Sequence, residues 1–86
     1  MITQSITQPT PVLFTIPHPQ YWLAAVPVAC DLCNAQIEDQ FFDARIRTSG
    51  WAKTCPDCHR RYGVGLGLGR GQRYTKVASG WLKTGG

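Results

Sequence analysis

Four cysteines carry the chemistry that this chain offers. They form two pairs, Cys30-x-x-Cys33 and Cys55-x-x-Cys58, with twenty-one residues between the pairs. Two thiolates three positions apart reach one ion from a tight turn whose backbone amides point at the sulfurs. Two such pairs supply four soft ligands, the donor set of a closed tetrahedral zinc site with Zn–S bonds of about 2.3 Å. One Zn2+ per chain is the expected cofactor, with iron in the same four-thiolate cage as the rival. The ion would matter to the fold. An 86-residue chain buries only a marginal apolar core, whereas a structural zinc contributes on the order of 10 kcal/mol.

Other chemistries of these residues fit less well. Cys55-Pro-Asp-Cys58-His59 also matches the C-x-x-C-H attachment signature of c-type haem, but that reading leaves Cys30 and Cys33 without a role. A thioredoxin-like redox pair needs a βαβ context that this length does not offer. Two disulfides need an oxidising compartment. A catalytic zinc keeps one position open for water, and four cysteines fill the shell, so no enzyme and no small-molecule substrate are expected. His59 reads as an exposed helix residue beside the site. His18, followed by Pro19 and Gln20, does not supply the H-x-E of a zinc deaminase.

The elements around the cysteines follow from local pattern. The run Phe41-Phe-Asp-Ala-Arg-Ile-Arg47 is rich in β-formers and ends at the turn signal Thr48-Ser-Gly50. Trp51-Ala-Lys-Thr54 is the expected returning strand. Pro56 suits a first helical turn, and His59-Arg-Arg-Tyr62 a short helix stopped by Gly63. Residues 12–16 form a further strand candidate, and the stretch from Tyr21 to Val26 a short strand or an apolar strap over the metal module. Glycine occupies every second position from Gly63 to Gly71. Either this segment is extended with its glycines on one face, or it is an irregular loop wrapping the module. Its glycines match neither phosphate-loop signature.

One six-residue piece recurs. Ser49-Gly-Trp-Ala-Lys-Thr54 returns thirty residues later as Ser79-Gly-Trp-Leu-Lys-Thr84. Such pieces would pair side by side or each place a Trp on one surface; no function follows from them.

Charge is divided along the chain. Residues 1–30 have no charged side chain and hold five of the six prolines; all five acids lie within 31–57; from residue 58 onward there are six bases and no acid. The first base is Arg45, and the apolar run ending at Cys30 is short and broken by Pro27. Neither a secretory signal nor a membrane span is expected, and the location expected is cytoplasmic. The expected organisation is an extended or disordered proline-rich arm over residues 1–20, a zinc-binding domain over 21–76 and a C-terminal tail over 77–86.

A Cys-x-x-Cys turn, a β-hairpin and a second Cys-x-x-Cys opening a short helix is an order of parts similar to that of treble-clef zinc fingers. The fold class expected is a small metal-stapled α+β domain of that kind. The stretch from Gly50 to Tyr74 resembles more specifically a group of small, mostly uncharacterised bacteriophage zinc-finger proteins. These carry a Trp-Ala element, a Cys-x-x-Cys-His knuckle and a Gly-Val-Gly-Leu-Gly-x-Gly-x-Gly-Gln-x-Tyr tail. The resemblance covers roughly half of this chain, residues 30–74 of 86. It implies a zinc-binding fold and a phage origin, in a host-cell cytoplasm, and implies no activity.

The basic tail makes nucleic acid the first expected partner. Arg60, Arg61, Arg70, Arg73 and Lys76 would meet phosphates, and Tyr62 and Tyr74 would stack on bases. Four thiolates and a doubly charged ion lower the effective charge from +4 to +2, which is weak for a partner held by charge alone. The alternative partner is a host or virion protein gripped by the uncharged arm through Phe14, Tyr21 and Trp22.

Overall fold

The computed structural model describes residues 19–86. The strand candidate at 12–16, Phe14 and His18 lie outside the described residues, as does most of the proline-rich arm. Among the described residues, four strands and one helix follow in chain order: β1 (Gln40–Arg45), β2 (Trp51–Thr54), α1 (Pro56–Tyr62), β3 (Gly71–Val77) and β4 (Gly80–Gly85). They build one antiparallel sheet of order β2-β1-β3-β4, flanked by the short helix.

The first hairpin and the helix lie where the local pattern places them. In β1 the alternation of side chains sends Phe41 to one face of the sheet and Phe42 to the other. Phe41, fully buried, sits directly across from Tyr74 on β3 and stacks on it at 5.3 Å. Trp22 meets both rings edge-on, and Trp81 packs on Phe41. Ile37 completes this core. On the opposite face Phe42 stacks on His59 of α1, with ring centres 4.1 Å apart. His59 is therefore half-buried packing for the helix, with Nε2 3.1 Å from the Gly65 carbonyl, and not the exposed residue expected. Gly63 has to be glycine for that reason: a Cβ there would lie 2.5 Å from the His59 ring.

Residues 77–86, expected as a tail, instead complete the sheet. Val77 pairs with Gly80 across a tight turn, and β4 runs back along β3. The glycine-rich segment does not extend before Gly71. Gly65, Gly67 and Gly69 have φ of 115°, 118° and 77°, so the chain turns repeatedly. The loop reading holds, with the Arg70 guanidinium folded against Gly67. At Gly71 β3 passes so close to β1 that a Cβ would lie 2.4 Å from that of Ala44.

Both outer edges of the sheet are covered, the usual way to keep open strand edges from pairing with other chains. At β4, the Trp22 amide donates to the Trp81 carbonyl at 2.9 Å and the Lys83 amide to the Gln20 carbonyl at 2.7 Å. The strap expected near Tyr21 thus begins at Gln20 and lies on the second hairpin. At β2, the Lys53 amide donates to the Asp31 carboxylate and the Asp31 amide to the Lys53 carbonyl. The first cysteine pair is docked there.

Candidate metal centre

Three elements bring the sulfurs together. Cys30 and Cys33 lie on a turn held by the Asn34 amide to the Cys30 carbonyl and the Cys30 amide to the Ala35 carbonyl, both 2.9 Å. Asp31, inside that turn, ties it to β2. Cys55 follows β2 directly and is the N-cap of α1; Pro56 opens the helix, where a missing N–H costs nothing, and Cys58 lies in its first turn.

The four sulfurs all lie within 4.8 Å of one another, and those of Cys33 and Cys55 are 3.8 Å apart. A tetrahedral ion bonded to four sulfurs at about 2.3 Å requires sulfur–sulfur edges of about 3.8 Å. The arrangement fits such an ion. In each pair a backbone amide two or three residues on donates to the first sulfur: Leu32 to Cys30 at 3.4 Å and Cys58 to Cys55 at 3.5 Å. Such bonds favour the charged thiolate.

The electrostatics of the cluster are uneven. Burial pushes the Cys30 thiol up, but amides of Cys33, Cys55 and Leu32 outweigh it and bring the group to about 7. Burial raises Cys55; at Cys58 burial comes first and the neighbouring sulfurs push in the same direction, so that thiol is raised further. Four sulfurs this close do not share four negative charges without a cation among them. A bound metal reverses that logic by deprotonating the thiols it holds. Cys30 and Cys58 are buried, Cys55 is half-buried and Cys33 is exposed.

The residues expected to contact nucleic acid separate into two groups. Arg60, Arg61, Tyr62 and Arg70 gather near the C-terminal end of α1 and the end of β1. There the Arg47 amide donates to the Tyr62 carbonyl and the Arg45 amide to the Arg70 carbonyl, both 2.9 Å. Arg45 and Arg47 join them, exposed at alternate positions, and Arg47 Nη1 donates to the Arg61 carbonyl at 3.0 Å. Their period-two spacing, running into a turn, was the signal for these two. Asp57 bonds both Arg60 and Arg61. The other residues lie elsewhere. Arg73 donates to the hydroxyl and carbonyl of Thr84, and Lys76 is exposed at the opposite end of the sheet, its amide bonded to the Asp39 carbonyl. Tyr74 is a correction: it is buried against Phe41 and Trp22, not presented for stacking. Burial, with the nearby Asp43 carboxylate second, raises its phenol above the ordinary tyrosine range.

Among the described residues, no helix is long and apolar enough to cross a membrane. No protein-family model, curated protein or solved structure matches the chain.

Proposed function

We propose that the cysteine cluster holds one structural zinc ion in a treble-clef-like fold, and that the chain is a nucleic-acid-binding accessory module of phage origin. Zinc is favoured over iron because its role here is closure of a fold, for which a complete four-sulfur shell suffices. Cys30, Cys33, Cys55 and Cys58 would hold the ion, which supplies no reaction, only a joint between the first turn, β2 and α1. The glycine-rich motif supports the phage origin.

The observation that carries the nucleic-acid reading is the gathering of Arg45, Arg47, Arg60, Arg61 and Arg70 at one end of the module. The metal helps to build that end. α1 is capped by Cys55 and its seven residues advance about 10 Å, so fixing the cap at the ion fixes where Arg60 and Arg61 emerge. Arg47, His59, Arg60 and Gly63 line a depression between them, open to an anionic backbone.

The test combines elemental analysis with binding in a salt series. One zinc per chain is expected, together with affinity for DNA or RNA that falls steeply as salt rises. Charge reversal at Arg47 and Arg60 is expected to weaken binding further. Iron or no metal would sink the zinc assignment, and binding indifferent to those reversals would sink the arginine surface. A second reading, a host or virion protein as partner, is supported by the exposure of Leu23 (94%) and Val28 (77%) in an uncharged segment. It predicts capture that is lost when this segment is made polar.

A further inference from the structure

We infer that the nucleic acid bound at this end is single-stranded, with Trp51 and Tyr62 as stacking platforms on either side of Arg45 and Arg47. This rests on the nucleic-acid reading above and names the form of its ligand. Trp51 is the first observation. It is 51% exposed, yet its ring is not loose: Nε1 donates to Asp43 Oδ1 at 2.8 Å. Its polar end is satisfied and its orientation fixed, while the ring remains open to a partner. The core does not need this ring, because the equivalent Trp of the second hairpin, Trp81, is the one that packs on Phe41.

The backbone ladder places the second ring. Trp51 is the direct partner of Arg45 on one side of β1, while Ile46 bridges to Gly63 on the other, and the Arg47 amide is bonded to Tyr62. With neighbouring strands about 4.8 Å apart, and with Trp51 and Tyr62 opposite β1 positions two residues apart, their backbones lie about 12 Å apart across β1. Tyr62 is 45% exposed at the last position of α1. Alternation puts Trp51 and Arg45 on the Phe41 face of the sheet, whereas α1, which ends at Tyr62, packs on the Phe42 face, so the two rings flank the Arg47 end of β1 from opposite faces. A single strand passing round that end can splay a base onto each ring and run its phosphates over the arginines between them, and every base has a π-face to offer.

A duplex is served poorly by the same surface. Reading a major groove calls for an element that enters it. α1 is the only helix among the described residues, with seven residues, its start committed to the cysteines and its arginines tied to Asp57. A paired helix also keeps its bases stacked on each other, so Trp51 and Tyr62 would contribute nothing to its binding.

The experiment uses the full zinc-loaded chain and compares fluorescence-anisotropy titrations with oligothymidylate, oligouridylate and a DNA duplex of equal length, all at one low salt concentration. The single strands are expected to bind more tightly than the duplex. Trp51→Ala and Tyr62→Ala are each expected to weaken them by roughly 5- to 100-fold, and the duplex far less. Trp51→Phe, which keeps a ring, is expected to retain most of the affinity and guards against misreading a folding defect, as does zinc content measured on every variant. Equal or tighter duplex binding would overturn the single-strand inference, and so would ring substitutions without effect while arginine reversals still abolish binding; either result leaves the arginine surface standing. No binding of any probe would overturn the nucleic-acid reading itself, and this inference with it.

Discussion

The two hairpins of the sheet are built on nearly the same words and do different work. Ser49-Gly-Trp-Ala-Lys-Thr54 and Ser79-Gly-Trp-Leu-Lys-Thr84 each give a turn and the returning strand that follows it. The two strands do not lie side by side; they form the opposite edges of the sheet, with β1 and β3 between them. The pairing is equivalent as well: Trp51 faces Arg45 as Trp81 faces Lys76, and Lys53 faces Asp43 as Lys83 faces Tyr74. Alternation therefore points both tryptophans to the same sheet face. The glycines hold positive φ, 111° at Gly50 and 141° at Gly80, a region that other residues avoid.

What differs is the cover. The second hairpin receives Gln20–Trp22 along its edge, and Trp22 closes over Phe41 and Tyr74 to bury that face. The first hairpin receives the Cys30–Cys33 turn through Asp31 and continues into α1, so its anchorage is the cysteine cluster. One edge is held by aromatic packing and the other by a cysteine cluster that could hold an ion. The same tryptophan is core where a strap lies on it and surface where none does. Local sequence decides turn and strand; tertiary neighbours decide the role of the side chain.

Metal removal tests this contrast with the largest effect. A structural ion worth on the order of 10 kcal/mol is comparable to the whole stability of a small domain. Chelation, or Cys58→Ser, is expected to abolish cooperative unfolding and amide-exchange protection throughout the sheet. The loss is expected to reach the second hairpin because β1 pairs with both β2 and β3, and Phe41 belongs to the core shared with Trp81. Protection that survived in β3 and β4 after chelation would show two separable units and break the picture of a shared central strand.

The tryptophans come next. Trp81→Ala is expected to destabilise the zinc-loaded protein by about 3 kcal/mol, in the lower part of the range for removing a packed aromatic. Trp51→Ala is expected to cost less than about 1 kcal/mol, since it gives up one exposed hydrogen bond to Asp43. Urea unfolding at fixed zinc measures both. Equal costs would mean that Trp51 is part of the core after all.

The reach of the sequence follows the same division. The cysteine spacing, β1, β2 and the helix opened by Pro56 were all legible, because each depends on residues close in sequence. β3 and β4 were not. Gly71-Gln-Arg-Tyr-Thr-Lys-Val77 carries a strand alternation, but it follows a glycine-rich loop and offers a single aromatic, Tyr74, so it reads as a basic tail. What makes it a strand is β1, about thirty residues earlier, with Phe41 waiting for Tyr74. Arg73 and Lys76 stand apart from the arginine end for the same reason: their neighbours belong to other strands. His59 looked exposed because nothing local announces the Phe42 ring beneath it.

The smallest expected effects sharpen the comparison at its last shared residue. Thr54 and Thr84 end the two echoed pieces. Thr84 Oγ1 is bonded to Arg73 Nε at 2.9 Å and to Thr75 Oγ1 at 2.8 Å. Thr54 is fully buried, and its hydroxyl has no partner among the described residues. Burying an unpaired hydroxyl is unfavourable, whereas an apolar group of the same shape there is neutral or better. Thr54→Val is therefore expected to leave stability unchanged or raise it by up to about 1 kcal/mol, while Thr84→Val lowers it by about 0.5–1 kcal/mol. Thermal unfolding of the zinc-loaded variants separates the two signs. Thr54 also precedes Cys55, and a thiolate sulfur is an acceptor that a hydroxyl can reach. A drop in zinc affinity for Thr54→Val, measured by competition with a chelator, would overturn the neutral expectation. It would instead make that hydroxyl a donor to the metal's ligand shell, placing the sixth residue of the echo in the metal centre in one hairpin and in a surface ladder in the other.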